Sequence, residues 1–483
     1  MMLFITSLTL VVLAVPQDTT FGPSRCGALP QPQASDTIDA AVLAWMRQSR
    51  TPAASIAIVR GGRTVTERAY GWADLGTCVR ATPDMRFGIG SITKQITALG
   101  VLVLVGQGKL ALDDSISRWL PESGAAWRGI TVRHLLTHTS GIRDSGHDDP
   151  VYPQIEIDKK IDVTDSALVA RLARDPLNFP AGEGWAYSNT GYLLLSIIAQ
   201  RVGGAPFPVW MHDHVFEPLG MRATRFFDPT EIIPQLARGY SIDRDGRLRQ
   251  GFYSSRSYSQ RGDMGIVTTA HDLALWSAEL DSSRLISPAL HTLMLEPARL
   301  RDGSAFPYGF GVMLDDYRGV PVVRHGGTYV AGYSANLLTL PARRIAVVVL
   351  TNQHQGDPWD FSATLLALAD STLPTIASLH AEPDRTPERT RRLAALLNGD
   401  STAAPAMPAW RRLMYPQIRG FLEDVVPLTV EYVTCDNVAS SHIDRFGGTA
   451  ALECYYRLHH GPMNMTLSVL YTRDGRITGM FPR

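Results

Sequence analysis

Ser91 and Lys94, in the run Ser91-Ile92-Thr93-Lys94, are two residues whose types and spacing could carry nucleophilic catalysis. At i and i+3 a hydroxyl and an amine share one face of a helix and can touch. A serine hydroxyl attacks a carbonyl only when a nearby base takes its proton. A lysine flanked by apolar residues gives up its own proton more readily, because burial disfavours the ammonium. The start of a helix adds backbone N–H groups that favour negative charge at the serine. The chemistry this pair suits is nucleophilic attack by an activated Ser91 hydroxyl. The same residues also fit an N-cap serine beside a solvated lysine, so the rest of the sequence has to decide.

Four further stretches do so. Tyr187-Ser188-Asn189 sits inside Phe179–Tyr192, and His325-Gly326-Gly327 follows Val322-Val323-Arg324. The other two are Ile130–Ile142 and Gly262–Ala274. With Phe87–Lys94 they form five ordered motifs that resemble the serine β-lactamase and penicillin-binding-protein superfamily, nearest to its class C β-lactamase-like branch of esterases and D-amino-acid peptidases. The resemblance covers residues 37–375. It implies Ser91 as nucleophile and, as base, either Lys94 or the phenolate of Tyr187, whose pKa the neighbouring ammonium would lower; the same group then protonates the leaving atom. It further implies an oxyanion hole at the backbone N–H groups of Ser91 and Thr328. Asn189, His325, Gly326 and Gly327 would contact substrate. Asn189 also suits the N-cap of a helix beginning at Thr190.

The third motif departs from the family pattern of Lys-Thr-Gly, in which a fixed charge and a hydroxyl recognise a carboxylate. Here His325 replaces the charge and Gly326 removes the hydroxyl. Histidine titrates near neutrality, so carboxylate recognition should weaken and become pH dependent. Arg324 does not substitute, because adjacent strand residues face opposite sides. The expectation is therefore hydrolysis of an ester or a D-amino-acid amide in a small molecule or short peptide. A D-alanyl-D-alanine carboxypeptidase comes next and a β-lactamase third; an inactive relative that binds cell-wall peptide is the non-enzymatic alternative. No cofactor and no metal is expected. His134 and His138 form H-x-x-x-H, but Leu135 stands where a zinc-protease motif places glutamate. His147-Asp148-Asp149 reads as a solvated polar loop. Gly90 directly precedes Ser91, so this is not the G-x-S-x-G elbow of α/β-hydrolases.

Elements must hold these groups. Ile38, Val42, Trp45 and Met46 recur at helical spacing behind Asp36, and two apolar runs, Ala53–Val59 and Thr64–Tyr70, flank the turn pair Gly61-Gly62. A buried helix is expected from Ser91, and further helices over Thr190–Val202 and His271–Leu280. Strands return at Gly309–Leu314, Val320–Arg324, Ser334–Leu340 and Arg344–Thr351. Strands early and late around a helical middle imply an α/β (α+β) fold, one antiparallel sheet flanked by helices with an inserted helical lobe; the resemblance makes this β-lactamase/transpeptidase-like. After a Pro- and Arg-rich linker at 376–408 with one short helical stretch, Leu393–Leu397, alternating runs at Leu428–Val433, Ala450–Leu458, Met463–Tyr471 and Arg476–Met480 suggest a small α+β domain over 409–483.

The 483 residues hold 46 basic and 46 acidic side chains, for a formal net charge of zero. That balance gives no electrostatic hold on nucleic acid or anionic lipid. Leu3–Val15, within residues 1–20, has the length of a signal segment and is too short for the roughly 20 residues that span a bilayer. Export to the periplasm or medium would suit disulfides Cys26 with Cys78 and Cys435 with Cys454, although four cysteines permit three pairings. Nothing in the sequence sets the oligomeric state.

Overall fold

Asp36 accepts hydrogen bonds from the backbone N–H groups of Ile38 and Asp39 and so starts helix α1 (Thr37–Ser49), which buries Val42, Leu43 and Met46. In the computed structural model of the protein, residues 26–27, 36–144, 161–243, 245–317, 320–356, 358–373, 381–422, 426–437, 449–460 and 463–482 are described. The apolar run at 3–15 and the His147-Asp148-Asp149 loop lie outside the described residues.

Strands β1 (Ala53–Arg60) and β2 (Arg63–Asp74) form the expected hairpin, with positive φ at Gly61 and Gly62. With β3 (Val79–Arg80), β4 (Met313–Tyr317), β5 (Val320–Tyr329), β6 (Tyr333–Leu340) and β7 (Ile345–Thr351) they build a seven-stranded sheet in the order β4-β5-β6-β7-β1-β2-β3. Every pairing in it is antiparallel. The first and last strands of the sheet in chain order therefore meet at its centre, where β1 lies beside β7 with Ile56 opposite Val349.

Successive strand residues face opposite sides, and here both sides are covered. Ile56, Ile58, Val347 and Val349 pack with α1 and with helix α5 (Pro358–Ala369). Ala57, Val59, Val348 and Leu350 pack on the other side with helices α2 (Thr93–Gly106), α3 (Asn189–Gly203) and α4 (Ala270–Asp281). Burial on two faces is why β1 and β7 read as almost unbroken apolar runs.

Two features differ from the expected pattern. β5 does not stop at Arg324 but runs on to Tyr329, pairing Gly326 with Asn336 and Thr328 with Ser334. A three-stranded patch, from Phe87–Gly88, Ile266–Thr268 and Arg225–Phe226, supports the underside of the Ser91 turn. Strands of two or three residues are too short to show a period of two.

Beyond residue 380, β8 (Thr429–Asn437), β9 (Ala450–His460), β10 (Met463–Thr472) and β11 (Ile477–Pro482) form an antiparallel meander. Disulfides join Cys26 to Cys78 and Cys435 to Cys454, the latter linking paired residues of β8 and β9. The stretch 376–408, expected as a linker, contains helix α6 (Pro387–Leu397), whose Leu393, Leu396 and Leu397 are buried. Arg and Glu on its outer face mask a three-leucine inner face. Those leucines share one core with Trp410 and Tyr456 of the C-terminal region and with Trp185, Phe306 and Tyr308 from the earlier part of the chain.

Candidate active site

Ser91 stands on a single 3-10 turn, Gly90–Ile92, that leads into α2, and two glycines let this turn lie against β5. Gly90 has φ +49°, and a Cβ there would come within 2.4 Å of the Thr328 carbonyl. A Cβ on Gly327 would come within 2.0 Å of the Ile89 carbonyl and 2.7 Å of the Ser91 nitrogen. No side chain fits at either position, so the backbones of Ser91 and Thr328 are held side by side. Gly326 turns the other way, where a Cβ would meet Trp359 at 3.0 Å. Its place is thus a packing position toward α5 and not a face toward Ser91.

Lys94 is fully buried on the first turn of α2. Its Nζ donates to Ser91 Oγ at 3.0 Å, to Asn189 Oδ1 at 2.6 Å and to the Asp263 carbonyl at 2.9 Å. Burial lowers its pKa to about 8, against the partial opposition of the Asp263 and Asp144 carboxylates. A neutral amine has two hydrogens and one lone pair. Two of the three partners are carbonyl oxygens that can only accept, which leaves the lone pair for the Ser91 hydroxyl. The site is therefore built for the deprotonated lysine as well as for the ammonium.

The Tyr187 ring centroid lies 4.9 Å from Lys94 Nζ, and its phenol is influenced by the Ser91 hydroxyl. Burial raises the phenol's pKa far above its ordinary value, and the neighbouring Ser91 hydroxyl offsets only part of that rise. The expected lowering beside the ammonium is overturned, because desolvation of the phenolate outweighs the nearby charge.

Asn189 is not the cap of its helix. Ser188 fills that role, its Oγ accepting from the Gly191 N–H at 3.2 Å, and α3 begins at Asn189. The Asn189 amide is free to bridge, accepting from Lys94 and donating through Nδ2 to Asp144 Oδ2 at 3.0 Å. Asp144 also accepts from the Thr190 backbone N–H at 3.0 Å, at the N-terminus of α3. The sequence reading missed Asp144, since a lone aspartate at the edge of a polar loop carries no signal of its own. It likewise missed Asp263, which acts on Lys94 through its backbone.

His325 faces the site side of β5 but is buried, 1% exposed, and burial drives its pKa down to about 3. Nδ1 donates to the Gly326 carbonyl at 2.6 Å, so Nε2 accepts from the Tyr308 hydroxyl at 3.2 Å. The expected pH-dependent carboxylate recognition is corrected accordingly, because this imidazole stays neutral throughout the physiological range. Arg324 points to the opposite face, pairs with Asp315 at 2.5 Å and lies over the Trp359 ring at 3.3 Å.

His134 and His138 serve separate local roles. His134 Nδ1 accepts from the Thr131 N–H at 3.1 Å in a capping box. His138, at a strained φ of 58°, accepts at Nδ1 from the Ser188 N–H at 3.1 Å. Its ring packs on Tyr187 with centroids 4.4 Å apart and on Tyr308 at 4.7 Å. It thus supports the wall of the site, a task that the H-x-x-x-H spacing did not suggest.

Comparison with known proteins agrees with this geometry. The Beta-lactamase family model matches residues 38–371. Penicillin-binding protein 4* of Bacillus subtilis is 28% identical over 394 residues, covering 76% of this chain and 84% of that protein. A D-aminopeptidase of Gluconobacter oxydans is 26% identical over 404 residues, 81% of this chain and 72% of the relative. Esterase EstB of Burkholderia gladioli is 36% identical over 202 residues, 39% of this chain and 50% of the esterase. The penicillin-binding protein structure from Bacillus halodurans superposes with TM-score 0.58 at 26% identity, over 69% of this chain and 99% of that one. An octameric penicillin-binding protein homologue from Pyrococcus abyssi shares the fold at TM-score 0.59 and 23% identity, over 91% of this chain and 94% of its own. The family match spans every stretch from the Ser91 turn to β5, and with it the chain belongs to the Beta-lactamase family, as a serine hydrolase.

Proposed function

We propose that the protein hydrolyses an ester or a D-amino-acid amide through an acyl-enzyme on Ser91, with Lys94 as the base. The observation that carries this reading is the set of three hydrogen bonds around a buried lysine, two of them to carbonyl oxygens and the third to Ser91 Oγ. Lys94 takes the hydroxyl proton as Ser91 Oγ attacks the carbonyl carbon. The oxyanion that forms is met by the backbone N–H groups of Ser91 and Thr328, and one such donor typically lowers the barrier by about 3 kcal/mol. As the tetrahedral species collapses, the proton passes to the leaving alcohol or amine, either from Lys94 directly or through the Tyr187 hydroxyl. Water then attacks the acyl group by the same route in reverse.

Asn189 and Asp144 act as positioning residues for the lysine, and His138 for Tyr187. His325 is neutral, and the guanidinium of Arg324 is engaged with Asp315 on the far face of β5. Neither offers a positive charge to a substrate carboxylate, which supports uncharged acyl compounds over penicillins and over peptides with a C-terminal D-alanine. The relatives named D-aminopeptidase and esterase agree with that preference. Two disulfides support an oxidising compartment, and with the leader-like run at 3–15 we place the enzyme in the periplasm or outside the cell.

Initial rates with a short-chain nitrophenyl ester, D-alanine amide, D-alanyl-D-alanine and a chromogenic cephalosporin, each beside Ser91→Ala, test the reading. Turnover of the ester or the amide should exceed that of the two carboxylate substrates by at least about tenfold in kcat/KM. Preference for the cephalosporin or the dipeptide would overturn it.

A further inference from the structure

A cavity of about 540 Å³ lies where the C-terminal region meets the site. Its volume falls within the roughly 300 to 1,000 Å³ of small-molecule sites. One wall is Trp185, Tyr187 and Tyr308; the other includes Trp410, Ile418 and Leu467 from the C-terminal helices and β10. Two charged side chains, Asp315 and Arg324, also line it, and they are paired with each other at 2.5 Å.

We infer that this cavity receives an apolar substituent of the substrate, an alkyl or aryl group attached to the scissile ester or amide. This rests on the serine-hydrolase reading above. The argument has three parts. Tyr187 belongs to both places, its ring 4.9 Å from the Lys94 Nζ that contacts Ser91 Oγ and also lining the cavity, so a chain leaving the reacting carbon beside Tyr187 has the cavity next to it. The lining offers a substituent almost no polar partner, which excludes charged and sugar-like groups, since their desolvation would go uncompensated. Four methionines, Met313, Met414, Met465 and Met480, contribute to the lining. Their unbranched thioethers adapt to differently shaped apolar groups.

The test is a pair of chain-length series on the full-length protein. In one, nitrophenyl esters run from acetate to octanoate; in the other, acetate esters of alcohols run from methanol to octanol. Each methylene buried raises kcat/KM by roughly fourfold, so at least one series should climb by tenfold or more. The series that climbs shows whether the acyl or the leaving group occupies the cavity. Ile418→Trp and Met414→Phe, which narrow the cavity, should flatten that climb, read within each variant as the ratio of octyl to acetyl turnover. Two flat series in the wild-type protein overturn the inference. So does a climb that neither variant changes. Labelling of Ser91 by a fluorophosphonate separates this from failure of the underlying reading. An unlabelled Ser91 overturns both, whereas a labelled Ser91 with flat series overturns the cavity alone.

Discussion

Lys94 links the chemistry to pH. Its pKa, lowered to about 8 by burial, makes the deprotonated base scarce at pH 6 and abundant at pH 9. For an uncharged ester, kcat/KM should therefore rise with pH and level off above an inflection near 8, as read from initial rates between pH 5 and 10. The carboxylates of Asp144 and Asp263 both hold that pKa up, so removing one should let it fall. Asp144→Asn should shift the inflection to lower pH, an effect that mere loosening of the loop would not produce. His325 is already neutral above about pH 3. The profile should show no step between pH 5 and 7, and His325→Gln should introduce none. Tyr187→Phe should lower kcat by about a hundredfold with a smaller change in KM. Of these residues Ser91 and Lys94 were legible from their i, i+3 spacing, and Tyr187 and Asn189 only through the family resemblance of their motif. The protonation state of His325 and the part of Asp144 were not, since both depend on burial and on neighbours distant in sequence.

At the scale of elements, the proposed oxyanion hole depends on two backbones touching. Gly90 and Gly327 make that possible, and their meaning was hidden in the sequence. The pair Gly326-Gly327 interrupts the alternation of β5 and hence seemed to end it at Arg324, whereas the structure carries the strand on to Tyr329. Gly327→Ala would push a methyl group into the Ile89 carbonyl, 2.0 Å away, and separate the Ser91 turn from β5. Its kcat should fall by about 10²- to 10³-fold, the effect of losing an oxyanion donor. Circular dichroism should show the secondary structure retained. The hairpin at Gly61-Gly62 and α1 behind Asp36 were readable from local signals alone. Helix α6 was legible only as the short run Leu393–Leu397, because charged residues make up most of its first two turns.

For the whole molecule, segments far apart in the chain are tied to the same site. β1 and β7 join the start and finish of the sheet, and the core of the C-terminal region includes Trp185, Phe306 and Tyr308, which back the wall at Tyr187. That shared core makes the C-terminal region part of the support of the site, a coupling that composition could not reveal. Leu396, fully buried in it, lies far along the chain from Ser91. Leu396→Ala should cost about 2 to 5 kcal/mol of stability in urea unfolding. The family's fold and the assignment as a serine hydrolase rest on motifs spread over the whole length of the match. Whether Ser91 is the residue that becomes acylated is tested most directly by mass spectrometry. The protein is mixed with a nitrophenyl ester, quenched within milliseconds to seconds, digested and mapped beside Ser91→Ala. A mass increase equal to the acyl group on the peptide that carries Ser91, absent from the variant, is the predicted result. Turnover with the acyl group on another residue, or unchanged turnover in Ser91→Ala, would contradict the account.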